Sequence, residues 1–227
     1  MPAAAAAEDY VLLGAGLRSR PAYDGSESQV MDVIPVIRYY GPTLFARTTQ
    51  DILEAGARVR LAPGWDAGAQ VAYEPGRKKS ESSRLRELDV PDLDWSASLG
   101  LHVEGDLQIG PMPLNLLART RHDVDSDRGY QVDLRTTAGV YAGGRVRAGL
   151  FAQVTWASSG YLAEFYGGGG SGPLYATAGA LGLYELRPSW LAYGSLELRR
   201  LHGDAARSPI TETRDNYYAS ASLAYRF

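Results

Sequence analysis

The feature that most restricts this sequence is a period of two, sustained in segments of about ten residues along almost its whole length. The last stretch shows it plainly: Tyr217, Ala219, Ala221, Leu223, Tyr225 and Phe227 alternate with Tyr218, Ser220, Ser222, Ala224 and Arg226. Successive side chains of a strand point to opposite faces, so each such segment has one apolar and one polar face. Other clean examples are Leu53, Ala55, Ala57, Val59 and Leu61 against Glu54, Gly56, Arg58 and Arg60, and Trp95 to Val103 against Ser96 to Glu104. Helical spacing is not seen at this scale, and the chain reads as all-β.

About twelve strands can be placed, starting at Asp9–Arg18 and Gln29–Tyr40 and ending at Asn216–Phe227. Gly41-Pro42, Pro63-Gly64, Gly105-Asp106, Gly143-Gly144 and Arg187-Pro188 read as short turns. Ser19–Ser28, Pro75–Leu93, Ala157–Gly172 and His202–Asp215 read as long loops, whereas the connection at Gln50-Asp51 is short where a long one is due. Short turns on one rim and long loops on the other describe a closed antiparallel barrel that crosses a membrane, with periplasmic turns and extracellular loops. Pro35, Pro111 and Pro113 cannot donate to a ladder, so a bulge is expected at Pro35 and a seventh strand starting at Leu114.

Alternation does not say which face is inside, and a soluble barrel would have the same period. Trp placement decides. Trp65, Trp95, Trp156 and Trp190 all fall at strand ends on the apolar face, as do Tyr39, Tyr73, Tyr130 and Tyr184, which is the pattern of an interfacial aromatic girdle. Segments of ten residues also match the ~9–11 of a tilted membrane strand. The mean hydropathy of −0.23 is no objection, since only alternate residues of a barrel strand face lipid. With 227 residues a single domain is expected: a tail over 1–8 and a barrel over 9–227. A net charge of −3 argues against a nucleic-acid partner, and the absence of cysteine excludes disulfides and thiolate chemistry. No signal-peptide pattern opens the chain, so an exported protein with its signal peptide removed is expected.

With lipid outside, the polar face lines the lumen. Its charges are Arg38, Glu54, Arg58, Arg60, Asp66, Glu104, Arg119, Arg121, Asp133, Arg135, Arg145, Arg147, Glu185, Glu197 and Arg199. They fit either a network of mutual ion pairs filling the interior or a narrow pore with a basic lining for small solutes. Asp123-Val-Asp125-Ser-Asp127-Arg-Gly129 is an incomplete calcium loop, because Leu134 stands where a bidentate Glu belongs. His102, His122 and His202 are not at metal-ligand spacing, and the glycines 167–170 lack the Lys of a phosphate loop. No catalytic, cofactor or metal residue is assigned. An outer-membrane enzyme is the least supported alternative, with no Gly-x-Ser-x-Gly in the chain.

Several segments carry a family resemblance. Pro21-Ala-Tyr23-Asp-Gly25-Ser26, Gly76-Arg77, Tyr161-Leu-Ala-Glu-Phe-Tyr166-Gly167, Leu201-His-Gly203-Asp204 leading to Ser208-Pro209-Ile210, and the final Tyr225-Arg226-Phe227 resemble the MipA/OmpV family of outer-membrane proteins. The resemblance implies a barrel of the bacterial outer membrane, set in lipid and lipopolysaccharide. Tyr225 and Phe227 resemble the closing signal read by the barrel-insertion machinery. It also implies a non-catalytic scaffolding role for peptidoglycan machinery, with a lytic transglycosylase or a penicillin-binding protein as partner.

Overall fold

A computed structural model describes residues 11–49 and 52–227. Its twelve strands are β1 (Val11–Pro21), β2 (Gln29–Tyr40), β3 (Leu44–Thr49), β4 (Ile52–Ala62), β5 (Trp65–Glu74), β6 (Ser96–Ile109), β7 (Met112–Asp123), β8 (Tyr130–Gly143), β9 (Val146–Ala157), β10 (Gly172–Arg187), β11 (Trp190–Leu201) and β12 (Asp215–Arg226). Each pairs antiparallel with its sequence neighbour, and β1 pairs with β12 over eight residue pairs, closing the barrel. The first strand's predicted start at Asp9, the tail before it and the Gln50-Asp51 connection lie outside the described residues.

The alternation falls as the sequence reading has it. Leu13, Leu17, Val33, Leu101, Leu134, Leu150 and Leu196 project outward and are exposed, while Glu54, Gln70, Arg119, Asp133, Gln153 and Thr155 project inward and are buried. A greasy exterior around a polar interior inverts the order of a soluble barrel. The long loops carry two short helices, α1 (Ser83–Glu87) and α2 (Ser159–Tyr166), each started by a serine: Ser82 accepts from the Leu85 N–H and Ser158 from the Tyr161 N–H. Leu85, Leu162, Tyr166, Leu174, Leu201 and Ile210 pack there into a small core above the barrel mouth.

Three expectations are corrected. Gly105-Asp106 is not a turn: β6 runs on to Ile109, and Gly110, with φ of 59°, makes the turn with Pro111. Gly105 is instead a notch in the outer wall, where an added Cβ would lie 2.7 Å from the Trp65 ring. The seventh strand begins at Met112 rather than Leu114. Pro113 is tolerated because the β7–β8 ladder starts only at Leu114, leaving Pro113 paired with Gln108 alone. Pro35 forms no bulge, since β1 and β2 stay in register from Val11↔Tyr39 to Pro21↔Gln29. Its carbonyl faces β3, where it accepts from the Thr48 hydroxyl at 3.0 Å, so its missing N–H falls on a side where β2 has no ladder to lose.

Candidate functional site

Midway along the strands, inward side chains meet in one layer of ion pairs. Glu54 on β4 pairs with Arg47 on the adjacent β3 and, across the lumen, with Arg119 on β7 at 2.8 Å. Arg119 also donates to Asp133 at 2.7 Å, and Asp133 takes Arg121 at 3.1 Å and the Thr155 hydroxyl at 2.7 Å. Arg121 continues to Glu74 at 2.7 Å, and Arg47 to Glu104 at 2.5 Å. Glu54 and Asp133 are each 1 % exposed, so their charges persist there only because they are paired and hydrogen-bonded. His102 lies inward, edge-on to Phe45 with ring centres 5.1 Å apart.

Above this layer a loop enters the barrel. Asp24, between β1 and β2, reaches down to Arg199 at 2.8 Å and accepts from the Tyr218 hydroxyl. Arg199 is also held by Glu197 at 2.8 Å and lies between the rings of Tyr175 and Tyr218, 4.3 and 4.4 Å from their centres. The loops then tie to one another. The Tyr23 hydroxyl donates to the Ile210 carbonyl at 2.6 Å, and Arg77 donates to the Phe165 carbonyl at 2.6 Å. Burial raises the Tyr161 and Tyr166 hydroxyls well above the ordinary tyrosine range and lowers the Arg77 guanidinium.

Below the layer the described residues leave the lumen open. A cavity of about 630 Å³ extends from Arg47, Glu104 and Arg135 toward the short-turn rim, where the exposed Arg147 stands. Small or apolar residues, Gly139, Gly149, Ser220, Ile34, Leu117 and Leu181, make part of its wall, and polar groups such as Asp106 and Asn115 make the rest.

The predicted charges therefore divide. Glu54, Glu104, Arg119, Arg121, Asp133, Glu197 and Arg199 join the paired layers. Arg58, Arg60 and Asp66 form their own cluster nearer the short turns, at 3.2 and 2.5 Å. Arg38 and Arg147 line the cavity, Arg145 is exposed, and Glu185 stands 3.9 Å from Arg226. Arg135 lies 4.0 Å over the Phe151 ring. Sequence reasoning missed Arg47, Glu74 and Asp24. Glu74 sits on a face already read as polar; Arg47 shares its strand face with Phe45, which hides the alternation; Asp24 has no periodic signal at all.

The aromatics form two belts. Trp65, Trp190, Tyr39 and Tyr184 lie toward the short turns, and Trp95, Trp156, Tyr73 and Tyr130 toward the long loops. Tyr73 stacks on Trp95 at 5.9 Å, and Tyr225 meets Trp190 at 5.2 Å and Phe227 at 4.8 Å. In the Asp123–Asp127 segment, Asp123 accepts from the Ser96 hydroxyl at 2.6 Å and the Asp125 N–H at 2.9 Å, the bonds of a folded turn. Gly167, at φ of 79°, ends α2, and Gly170 donates to Asp204 at 2.8 Å.

A closed barrel of twelve strands, greasy outside, belted by aromatics and filled with charge, defines an outer-membrane β-barrel. Solved structures agree on the fold. An outer-membrane channel of Pseudomonas putida F1 superposes with a TM-score of 0.53 at 9 % identity, covering 99 % of this chain and 97 % of its own. The translocator domain of the autotransporter NalP of Neisseria meningitidis gives 0.50 at 11 %, covering 98 % and 90 %. No curated protein matches the sequence. The family model described as "MltA-interacting protein MipA" matches residues 13–227, and the chain belongs to that family.

Proposed function

We propose that this chain is a non-catalytic outer-membrane protein that scaffolds a peptidoglycan-cleaving enzyme from its periplasmic rim. The observation that carries this reading is the ion-pair layer from Arg47 to Glu74. It packs the middle of the lumen with mutually paired charges, which suits a structural barrel better than a pore. The family's description names MltA as a partner, which we read as a lytic transglycosylase, and the rim offers it exposed basic groups, Arg145 and Arg187, with no ion-pair partner among the described residues. In this reading the lumen charges are filler. The two aromatic belts sit at the lipid and lipopolysaccharide interfaces, and Tyr225 and Phe227 serve the barrel-insertion machinery.

Detergent-solubilised protein is expected to retain a purified membrane-bound lytic transglycosylase, and an R145E/R187E variant to retain much less. A second reading, a narrow solute channel, is favoured by the cavity and its basic mouth. Stable single-channel conductance in planar bilayers, with no retention of the enzyme, would replace the first reading with the second.

A further inference from the structure

We propose that the hollow half of the lumen is a binding chamber for a single-chain anionic amphiphile, its carboxylate or phosphate head on Arg135, admitted from the bilayer between β2 and β3. Arg135 is 9 % exposed, and its one hydrogen bond runs from Nε to the Thr137 hydroxyl at 3.3 Å. Its Nη1 is buried without a hydrogen-bond partner among the described residues. Arg47, Arg119, Arg121 and Arg199, in the layers above, each sit on a carboxylate. Glu197, which lines the same chamber, is committed to Arg199 at 2.8 Å. Among the described residues no carboxylate lies within ion-pair distance of Arg135; a buried cation so placed is costly, and a bound anion would relieve that cost. The centre of the Phe151 ring lies 4.0 Å from the guanidinium carbon, a cation–π contact that helps to hold it in place.

The rest of the chamber suits a hydrocarbon chain. Ile34, Val36, Leu117 and Leu181 give it an apolar stretch, beside polar groups such as Asp106 and Asn115, and about 630 Å³ falls within the ~300–1,000 Å³ of small-molecule sites. One wall is thin. The β2–β3 ladder is three pairs long, Arg38↔Arg47 to Tyr40↔Phe45. Past Arg38 the Thr48 hydroxyl bridges the seam, donating to the Pro35 carbonyl at 3.0 Å and accepting from the Ile37 N–H at 3.4 Å. Pro35, Ile37 and Thr48 belong to the outward faces of their strands and also border the chamber, so the cavity reaches the lipid side there. Side-chain bonds of this kind part more readily than a ladder. A chain could slide through with its head following to Arg135.

The test uses the whole protein in lipid nanodiscs with dodecanoate labelled at its carboxyl carbon. Wild type should show a saturable, shifted carboxylate resonance, and Arg135→Gln should weaken binding by about tenfold or more, the usual worth of a charged hydrogen bond. Leu181→Trp, which fills the chamber, should abolish it. The chain has no cysteine, so Ile37→Cys with Thr48→Cys, the next register pair after Arg38↔Arg47, can pin the seam on oxidation. Oxidation should slow loading of dodecanoate from the bilayer, reversibly with reductant, and leave water-borne hexanoate unaffected. Unchanged affinity in Arg135→Gln, or no saturable resonance in wild type, overturns the site. Equal loading rates with the seam pinned and free overturn the membrane entrance and assign the ligand to the periplasm.

Discussion

Between the half of the barrel toward the long loops and the half toward the short turns, the strands are continuous and the contents opposite. Toward the loops the inward positions hold Arg121, Asp133, Glu74, Tyr175, Arg199 and Tyr218, large groups that fill the cross-section and satisfy one another. Toward the turns the same strands present Gly139, Gly149, Leu181 and Ser220, which leave room. The difference teaches that a barrel's bore is set locally, by side-chain volume and pairing, while strand number fixes only the frame. Charge in the lumen is here a means of closing it.

The comparison breaks most directly at Asp133. Replacing it with Ala takes from Arg119 and Arg121 one of the two carboxylates that each holds in the buried layer, and we expect a loss of about 3–5 kcal/mol. Urea-driven unfolding in micelles, followed by tryptophan emission, would read it; a cost near zero would mean the layer is not holding the upper half together. Next comes the cap. Leu162→Ala empties the small loop core, at about 2–5 kcal/mol of local stability. The expected sign is faster protease cleavage in the loops while the barrel keeps its folded gel mobility.

The smallest effect is a pH dependence confined to the cap. Tyr161 and Tyr166 hold their protons above the ordinary tyrosine range because ionising them there is penalised by burial. An unfolded cap would release them near pH ~10. The folded cap therefore binds more protons than the unfolded one above that pH, and its stability falls as pH rises, with no effect below. Tyrosinate absorbance should show a late phase that disappears in Leu162→Ala.

Most of the frame is legible in the sequence because lipid outside and charge inside write a strict period of two. Legibility fails wherever a residue serves a non-local contact. Gly105 reads as a turn, yet it makes room for the Trp65 ring on the neighbouring strand. Pro35 reads as a bulge, yet the partner that would demand its N–H stops short. Phe45 points inward to meet His102, and so masks Arg47 beside it. Asp24 enters the lumen from a loop, where only the packed loops decide its position. The chamber was invisible for a related reason: a row of small inward residues spells absence, and alternation records polarity rather than volume.

The short β2–β3 ladder carries one more consequence. A circular sheet pulled apart tears first where the fewest backbone bonds oppose the load. Here that is not the junction of first and last strands, which eight pairs hold, but a line one hairpin away. Under tension the β1–β2 hairpin should come off still fastened to β12, so the tear that opens this cylinder runs inside its first half rather than along its chain ends.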